Sequence, residues 1–140
     1  MTTVLVDTNV LLDYFTEGSD WRDWSASMLA DAAQNGQVAI NPVIYAEVCF
    51  GFDTIEEVED VLPREYFIRA PLPWEAAFLA AKAFERYRRR GGAKTTVLPD
   101  FFIGAHAMVA GMTLLTRDAR RYRTYFPKLR IIAPERTVRL

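Results

Sequence analysis

Short apolar runs rich in β-branched residues alternate along the chain with longer segments in which apolar residues recur every three or four positions. This alternation constrains the fold more than any other feature, because it predicts strands buried on both faces and separated by helices. It is typical of the α/β class, with a central, mostly parallel β-sheet flanked by helices on both faces. With no internal repeat and 140 residues, the chain is predicted to form a single domain over residues 1–140.

The pattern predicts five strands, at residues 3–6, 38–40, 66–68, 113–115 and 131–133. It predicts helices at residues 8–15, 20–35, 42–50, 73–90, 99–111 and 119–126. Gly36 and Gly91 mark helix ends, and Pro42 suits the first turn of a helix. No element is predicted for the acidic segment 55–62.

The composition limits the class of protein. A hydrophobic content of 51% is enough for a core, and the lone Cys49 excludes an intramolecular disulfide. Neither a signal-peptide pattern nor an apolar run long enough to span a bilayer is present. The sequence therefore predicts a cytoplasmic protein without a membrane partner.

Charge is distributed unevenly. Residues 1–81 carry 3 Lys and Arg against 14 Asp and Glu, whereas residues 82–140 carry 14 against 4, although the net charge is only -1. A basic surface beside an acidic pocket suits a polyanion held near a cation site. The alternative is a pair of solvated helix faces that neutralise each other, and charge alone does not decide between them.

Four acidic residues fall where a parallel sheet would bring them together. Asp7 ends the first strand, Asp118 follows the strand at 113–115, Asp100 opens an otherwise apolar helix, and Glu47 is the one charge in an apolar segment. Ligands of open parallel sheets bind at the carboxyl ends of the strands. Taken singly, each acid has a structural explanation as a helix cap, a turn residue or a partner of an arginine.

Taken together, the four acids indicate a cation site. Converging carboxylates that are removed from water repel one another unless they share protons or bind a cation. Oxygen ligands without accompanying His or Cys favour Mg²⁺ or Mn²⁺. Such a cation can activate water for phosphodiester hydrolysis without a protein nucleophile.

The motifs resemble those of a known family. The segments VLVDTN (4–9), LPDFFIGAHA (98–107) and LLTRDARRY (114–122), with Glu47 on an early helix, are similar to the ordered acidic motifs of PIN domains of the VapC toxin type. The resemblance covers essentially the whole chain. No acid of the pattern is missing, and the match at Glu47 rests on position alone.

The resemblance implies a Mg²⁺- or Mn²⁺-dependent endoribonuclease, the toxin of a toxin–antitoxin pair. The site residues that it implies are the metal-site acids Asp7, Glu47, Asp100 and Asp118, and the pocket hydroxyls of Thr8 and Thr116. It also implies an RNA substrate, a homodimer, and a cognate VapB-type antitoxin whose tail enters the site.

Two groups of basic residues are candidates for phosphate contacts. The first, close after the last acidic motif, comprises Arg117, Arg120, Arg121 and Arg123; the second comprises Arg86, Arg88, Arg89, Arg90 and Lys94. Charges at helix C-termini and on solvated faces are the alternative explanation for individual members.

Other chemistries have less support. A thiol hydrolase would need Cys49 beside His106, and nothing in the sequence brings them together; His106 is predicted to be a hydrogen-bonded structural histidine. A phosphate-accepting receiver domain is disfavoured because Arg117 stands where a lysine is expected. A PIN-like binding module whose acidic pocket holds a metal or a partner without cleaving RNA remains the alternative function.

Overall fold

Five strands form one fully parallel sheet in a computed structural model that describes residues 2–134. The strands are β1 (Thr2–Val6), β2 (Gly36–Ile40), β3 (Phe67–Arg69), β4 (Thr113–Leu115) and β5 (Ile131–Ile132). Their spatial order is β3-β2-β1-β4-β5, and every neighbouring pair is parallel. The predicted α/β architecture is therefore confirmed. The ends of the predicted domain, residues 1 and 135–140, lie outside the described residues.

Seven helices connect and flank the strands. They are α1 (Thr8–Phe15), α2 (Arg22–Asn35), α3 (Pro42–Cys49), α4 (Ile55–Val61), α5 (Trp74–Arg89), α6 (Leu98–Ala110) and α7 (Arg120–Tyr125). Within residues 2–134, no helix is both long and apolar enough to cross a bilayer. The predicted helices and strands agree with these bounds to within about two residues.

Helix α4 is the element that the sequence prediction omitted. The Thr54 side chain accepts a hydrogen bond from the Glu57 backbone N–H, and the Glu57 side chain accepts one from the Thr54 backbone N–H. This reciprocal capping box stabilises the first turn despite the acidic composition of the segment. Val58, on the face opposite the acids, packs into the core with 2% exposure.

The core lies between the sheet and the helices, and the strand order places a crevice at its centre. Leu5, Ile40, Leu114 and Phe101 are fully buried. The chain leaves β1 toward β2 but leaves β4 toward β5 on the opposite side, so the sheet has its topological switch point between β1 and β4. Ligands of open α/β sheets bind outside the carboxyl ends of the strands at such a point.

Candidate active site

The carboxyl ends of β1 and β4 place Asp7 beside Thr116. Val6 is in register with Leu115, and the backbone N–H of Asp7 donates to the Leu115 carbonyl over 2.8 Å. The strands end together here, so the next residue of each chain segment emerges at the same edge of the sheet. The switch point therefore presents a carboxylate and a hydroxyl side by side.

Asp7 is the most enclosed acid of this edge, with 4% exposure. Its Oδ1 accepts from the Thr8 backbone N–H over 2.8 Å, which caps α1. Its Oδ2 accepts from the hydroxyls of Thr116, over 2.8 Å, and Tyr122, over 2.9 Å. Three donors thus fix the orientation of a carboxylate that is almost completely removed from water.

Three further acids reach the same cleft from separate elements. Glu47 comes from α3, and its Oε1 accepts from the Thr8 hydroxyl over 2.7 Å. Asp100 lies in the first turn of α6, and Asp118 is the exposed residue of the loop between β4 and α7. Glu47 and Asp100 are half-buried, so the four acids form a gradient of exposure from Asp7 outward.

The resulting cleft has a volume of about 220 Å³. Its lining residues are Asp7, Thr8, Asn9, Leu12, Glu47, Asp100, Asp118, Arg121 and Tyr122. A larger cavity, of about 630 Å³, lies elsewhere and is lined mainly by neutral residues together with Arg130. Chemistry rather than size therefore identifies the smaller cleft as the candidate site.

The acids perturb one another's ionisation. Burial, followed by the charge of Asp100, raises the pKa of Asp7 to about 7 despite the three hydrogen bonds that it accepts. Burial is also the largest cause of the raised pKa values of Glu47 and Asp100. The charge of Asp100 contributes at Glu47, and that of Asp118 at Asp100. The carboxylates are therefore close enough to repel one another, which a cation would relieve.

The donor set fits a hard divalent cation, but its geometry is not already assembled. Carboxylate oxygens from four separate elements line the cleft, and oxygen ligands are the preference of Mg²⁺ and Mn²⁺. Between residues 2 and 134, however, no three Asp, Glu, His or Cys side chains are already arranged to hold a metal ion. Arg121 occupies one oxygen of Asp100, so ligation through that oxygen requires the arginine to move.

The four arginines proposed for phosphate contacts lie in different places. Arg121 lines the cleft, whereas the Arg117 side chain turns away and pairs with Asp13, Nε to Oδ2, over 2.6 Å. Arg120 and Arg123 are exposed on α7 and do not line the cleft. The second basic group, which begins at Arg86, lies on and after α5 and does not line the cleft.

Two polar residues of the site were not assigned a role from the sequence. Tyr122 donates to Asp7 from α7, and burial raises its pKa well above the usual value. Asn9 donates through Nδ2 to the Thr116 hydroxyl over 3.4 Å and accepts through Oδ1 from the Arg117 backbone N–H over 3.1 Å. Asn9 lies next to Asp7 and Thr8 in the first motif and Tyr122 ends the last motif, so motif membership was the available signal for both residues.

His106 has a structural environment. It is 1% exposed, and its Nδ1 lies 3.0 Å from Nδ2 of Asn41. Asn41 caps α3 by accepting from the Ile44 backbone N–H, which orients its amide so that Nδ2 donates to His106. Burial lowers the pKa of His106, which keeps the ring neutral. The hydrogen bond of His106 goes to this amide and not to Cys49, which gives a thiol hydrolase no support.

Comparison with known proteins agrees with the parallel α/β fold. Residues 4–127 match the model of the PIN domain family. The chain is similar in structure to one in VapBC2 from Rickettsia felis bound to a promoter DNA fragment, with a TM-score of 0.74 and 17% identity over 96% of this chain and 100% of that chain.

Two other solved complexes contain similar chains. VapBC-1 from nontypeable Haemophilus influenzae gives a TM-score of 0.71 and 16% identity, over 94% of this chain and 98% of that one. A toxin–antitoxin complex from Klebsiella pneumoniae gives a TM-score of 0.70 and 22% identity, over 96% of this chain and 99% of that one. No curated relative matches the sequence at a significant level. Because the family model matches most of this chain, the chain belongs to the PIN domain family.

Proposed function

We propose that this protein is a Mg²⁺- or Mn²⁺-dependent endoribonuclease and the toxin of a type II toxin–antitoxin system. The observation that carries the proposal is the convergence of Asp7, Glu47, Asp100 and Asp118 on one cleft at the switch point of the sheet. Their mutual repulsion favours a bound cation. Membership in the PIN domain family agrees with a nuclease.

Some residues of the cleft would bind the cation, and others orient the carboxylates that bind it. The four carboxylates would hold the cation, and a divalent cation supplies charge neutralisation at the scissile phosphate and acidifies water. Thr116 and Tyr122 hold Asp7 in place, and Thr8 holds Glu47, through hydrogen bonds of 2.7 to 2.9 Å. Because these donors stabilise ionised carboxylates, they favour the protonation state that binds a cation.

The substrate would be a polyanion, which the exposed basic residues of α7 suit, since this helix also supplies Arg121 and Tyr122 to the cleft. Arg120 and Arg123 are exposed on α7, directly after the loop that carries Asp118. Contacts from such residues to neighbouring phosphates hold a nucleic acid in register without reading its sequence. The choice of RNA rests on the resemblance to VapC-type PIN domains.

The proposed partners and cellular compartment follow from the same resemblance. A cognate VapB-type antitoxin is proposed as the inhibitor, since the similar solved chains come from VapBC and other toxin–antitoxin complexes. A homodimer in the cytoplasm is proposed as the active form. Sedimentation analysis of the purified protein, alone and after addition of its antitoxin, tests both assemblies.

The test of the function is cleavage of total RNA by protein purified free of antitoxin. We expect cleavage with Mn²⁺, no cleavage in EDTA, and none by Asp100→Asn, which keeps the shape of the side chain and removes its charge. Asp31→Asn is a matched control, because Asp31 is exposed on α2 and lines no part of the cleft. Binding of Mn²⁺ without cleavage would instead support a non-cleaving binding module.

A further inference from the structure

Arg121 forms an ion pair inside the acidic cleft. Its Nη1 lies 2.7 Å from Oδ2 of Asp100, and its guanidinium carbon lies 5.9 Å from the centre of the Tyr87 ring. Both members of the pair are about one-third exposed, at 31% and 32%. Of the residues that line the cleft in the described part of the chain, Arg121 is the one with a positive charge.

We infer that Arg121 is a positioning residue that competes with a divalent cation for Asp100 and moves to the substrate phosphate when the cation takes its place. This inference rests on the proposed function. It adds an exchange between two states of one side chain, in which Arg121 contacts either a carboxylate of the site or a phosphate of the RNA.

The first reason is that the arginine and a cation require the same atom. Oδ2 of Asp100 accepts from Arg121, and a cation bound to that oxygen would stand within a few ångströms of the guanidinium. Two positive charges at that distance repel each other. Cation binding at Oδ2 and the ion pair therefore oppose each other.

The second reason is that the ion pair is weak enough to exchange. A pair that keeps about a third of its surface in water is screened and stabilises by little, whereas a fully buried pair would be difficult to open. Arg117 is as exposed as Arg121, at 34%, and also contacts a ring, but its partner Asp13 is only 11% exposed. The two pairs therefore differ in the burial of the carboxylate, and the pair at Asp100 is the easier one to open.

The third reason is that the released guanidinium suits a phosphate. Its planar donors match two phosphate oxygens as they match a carboxylate, and Arg121 already lies in the cleft where the scissile phosphate would bind. Cation binding would thus remove the arginine from one anion and make it available to another. Binding of the cation and binding of RNA should reinforce each other through this side chain.

The direct test is calorimetric titration of Mn²⁺ into chelator-free protein. Arg121→Gln should bind Mn²⁺ about fivefold more tightly than wild type, the gain expected when a partly exposed competing pair is removed. Arg64→Gln is the matched control, because it removes one exposed arginine outside the cleft and should bind as wild type does. Circular dichroism establishes that each variant is folded.

A second titration follows the exchange to the substrate. The affinity for a fluorescent single-stranded RNA oligonucleotide, verified to remain intact, is measured by anisotropy in EDTA and in Ca²⁺. Ca²⁺ should increase the affinity of wild type severalfold more than that of Arg121→Gln, because the variant has no arginine to release. Arg64→Gln should show the wild-type increase.

The outcomes separate this inference from the proposed function. If wild type binds Mn²⁺ and Arg121→Gln binds it no more tightly, the competition is wrong while the metal site stands. If none of the proteins binds Mn²⁺, both the site and the inference are overturned. Should Arg121→Gln fail to fold, Arg121→Lys replaces it: a lysine forms a less specific pair, so its Mn²⁺ affinity should exceed that of wild type, and an equal affinity contradicts the inference.

Discussion

Replacing Asp7 with Asn should stabilise the metal-free protein at neutral and higher pH. Burial and the charge of Asp100 raise the pKa of Asp7 from 3.8 to about 7 in the folded state. A raised acid pKa means that folding favours the protonated form, so stability is full at low pH and falls as the pH rises through the folded pKa. Asn carries no charge and should escape this loss.

The expected gain is the difference between a relieved charge penalty and two lost hydrogen bonds. A shift of about three pKa units corresponds to roughly 4 kcal/mol of lost stability above the folded pKa. The Asn side chain can keep the cap on α1, but its amide nitrogen cannot accept from the hydroxyls of Thr116 and Tyr122, a loss of about 1 kcal/mol each. The net gain is about 2 kcal/mol, or roughly 6 °C in the melting temperature.

Thermal melts in EDTA at several pH values measure this gain. Near pH 5 the penalty of ionisation has fallen to roughly 2 kcal/mol, so the variant and wild type should melt at about the same temperature. Above about pH 7 the variant should melt higher. Asp31→Asn, a change at an exposed position, should follow wild type throughout.

Added Mn²⁺ should reverse the order of the two melting temperatures. A ligand that binds the native state alone stabilises by about 1.4 kcal/mol at tenfold and about 2.7 kcal/mol at hundredfold excess over its dissociation constant. At a Mn²⁺ concentration between these two, the melting temperature of wild type should therefore rise above that of Asp7→Asn, since the variant loses most of the stabilisation by the cation. A wild type that is more stable than the variant in EDTA at every pH, and indifferent to Mn²⁺, would show that Asp7 is a structural cap.

Three further changes test other parts of the site. Tyr122→Phe removes a donor to Asp7, which should raise the pKa of that carboxylate and move the acid limb of the pH–rate profile for RNA cleavage to higher pH; an unmoved limb contradicts the assigned contact. Charge reversal of Arg120 and Arg123 together should weaken RNA binding and flatten its salt dependence, whereas an unchanged salt slope makes both residues part of a solvated face. Gly104→Ala places a methyl 2.6 Å from the Phe126 ring, so it should destabilise the protein by about 1 to 3 kcal/mol, and melting at the wild-type temperature would refute that packing.

The parallel sheet and the positions of its acids were predictable because they depend on local pattern. Strand and helix periods alternate, and the residue after a buried strand emerges at its carboxyl edge, which places Asp7 and Asp118 near each other. Asp118 is nevertheless exposed, although Thr116 in the same loop is fully buried. The omitted helix α4 had a usable signal in the Thr54 and Glu57 capping box.

The parts that were not predictable depend on contacts between distant segments. Arg117 and Arg121 stand four positions apart, yet one turns to Asp13 and the other to Asp100. From the sequence alone, both were candidates for phosphate contacts, with solvated helix faces as the alternative. The hydroxyl of Tyr122 reaches Asp7 across 115 positions of sequence, and no periodicity encodes that contact.

Metal binding and RNA cleavage should depend on the same carboxylates, and measuring both in one protein tests this. Mn²⁺ binding is titrated by calorimetry, and the rate of single-turnover RNA cleavage is measured over the same range of Mn²⁺ concentrations. If the carboxylate cleft holds the catalytic cation, the Mn²⁺ concentration for half-maximal rate lies at or severalfold below the dissociation constant of the RNA-free protein, because bound RNA tightens cation binding, and Asp7→Asn raises both values together. Cleavage that persists in EDTA, or that Asp7→Asn leaves unchanged, would contradict a metal-dependent nuclease site in this cleft.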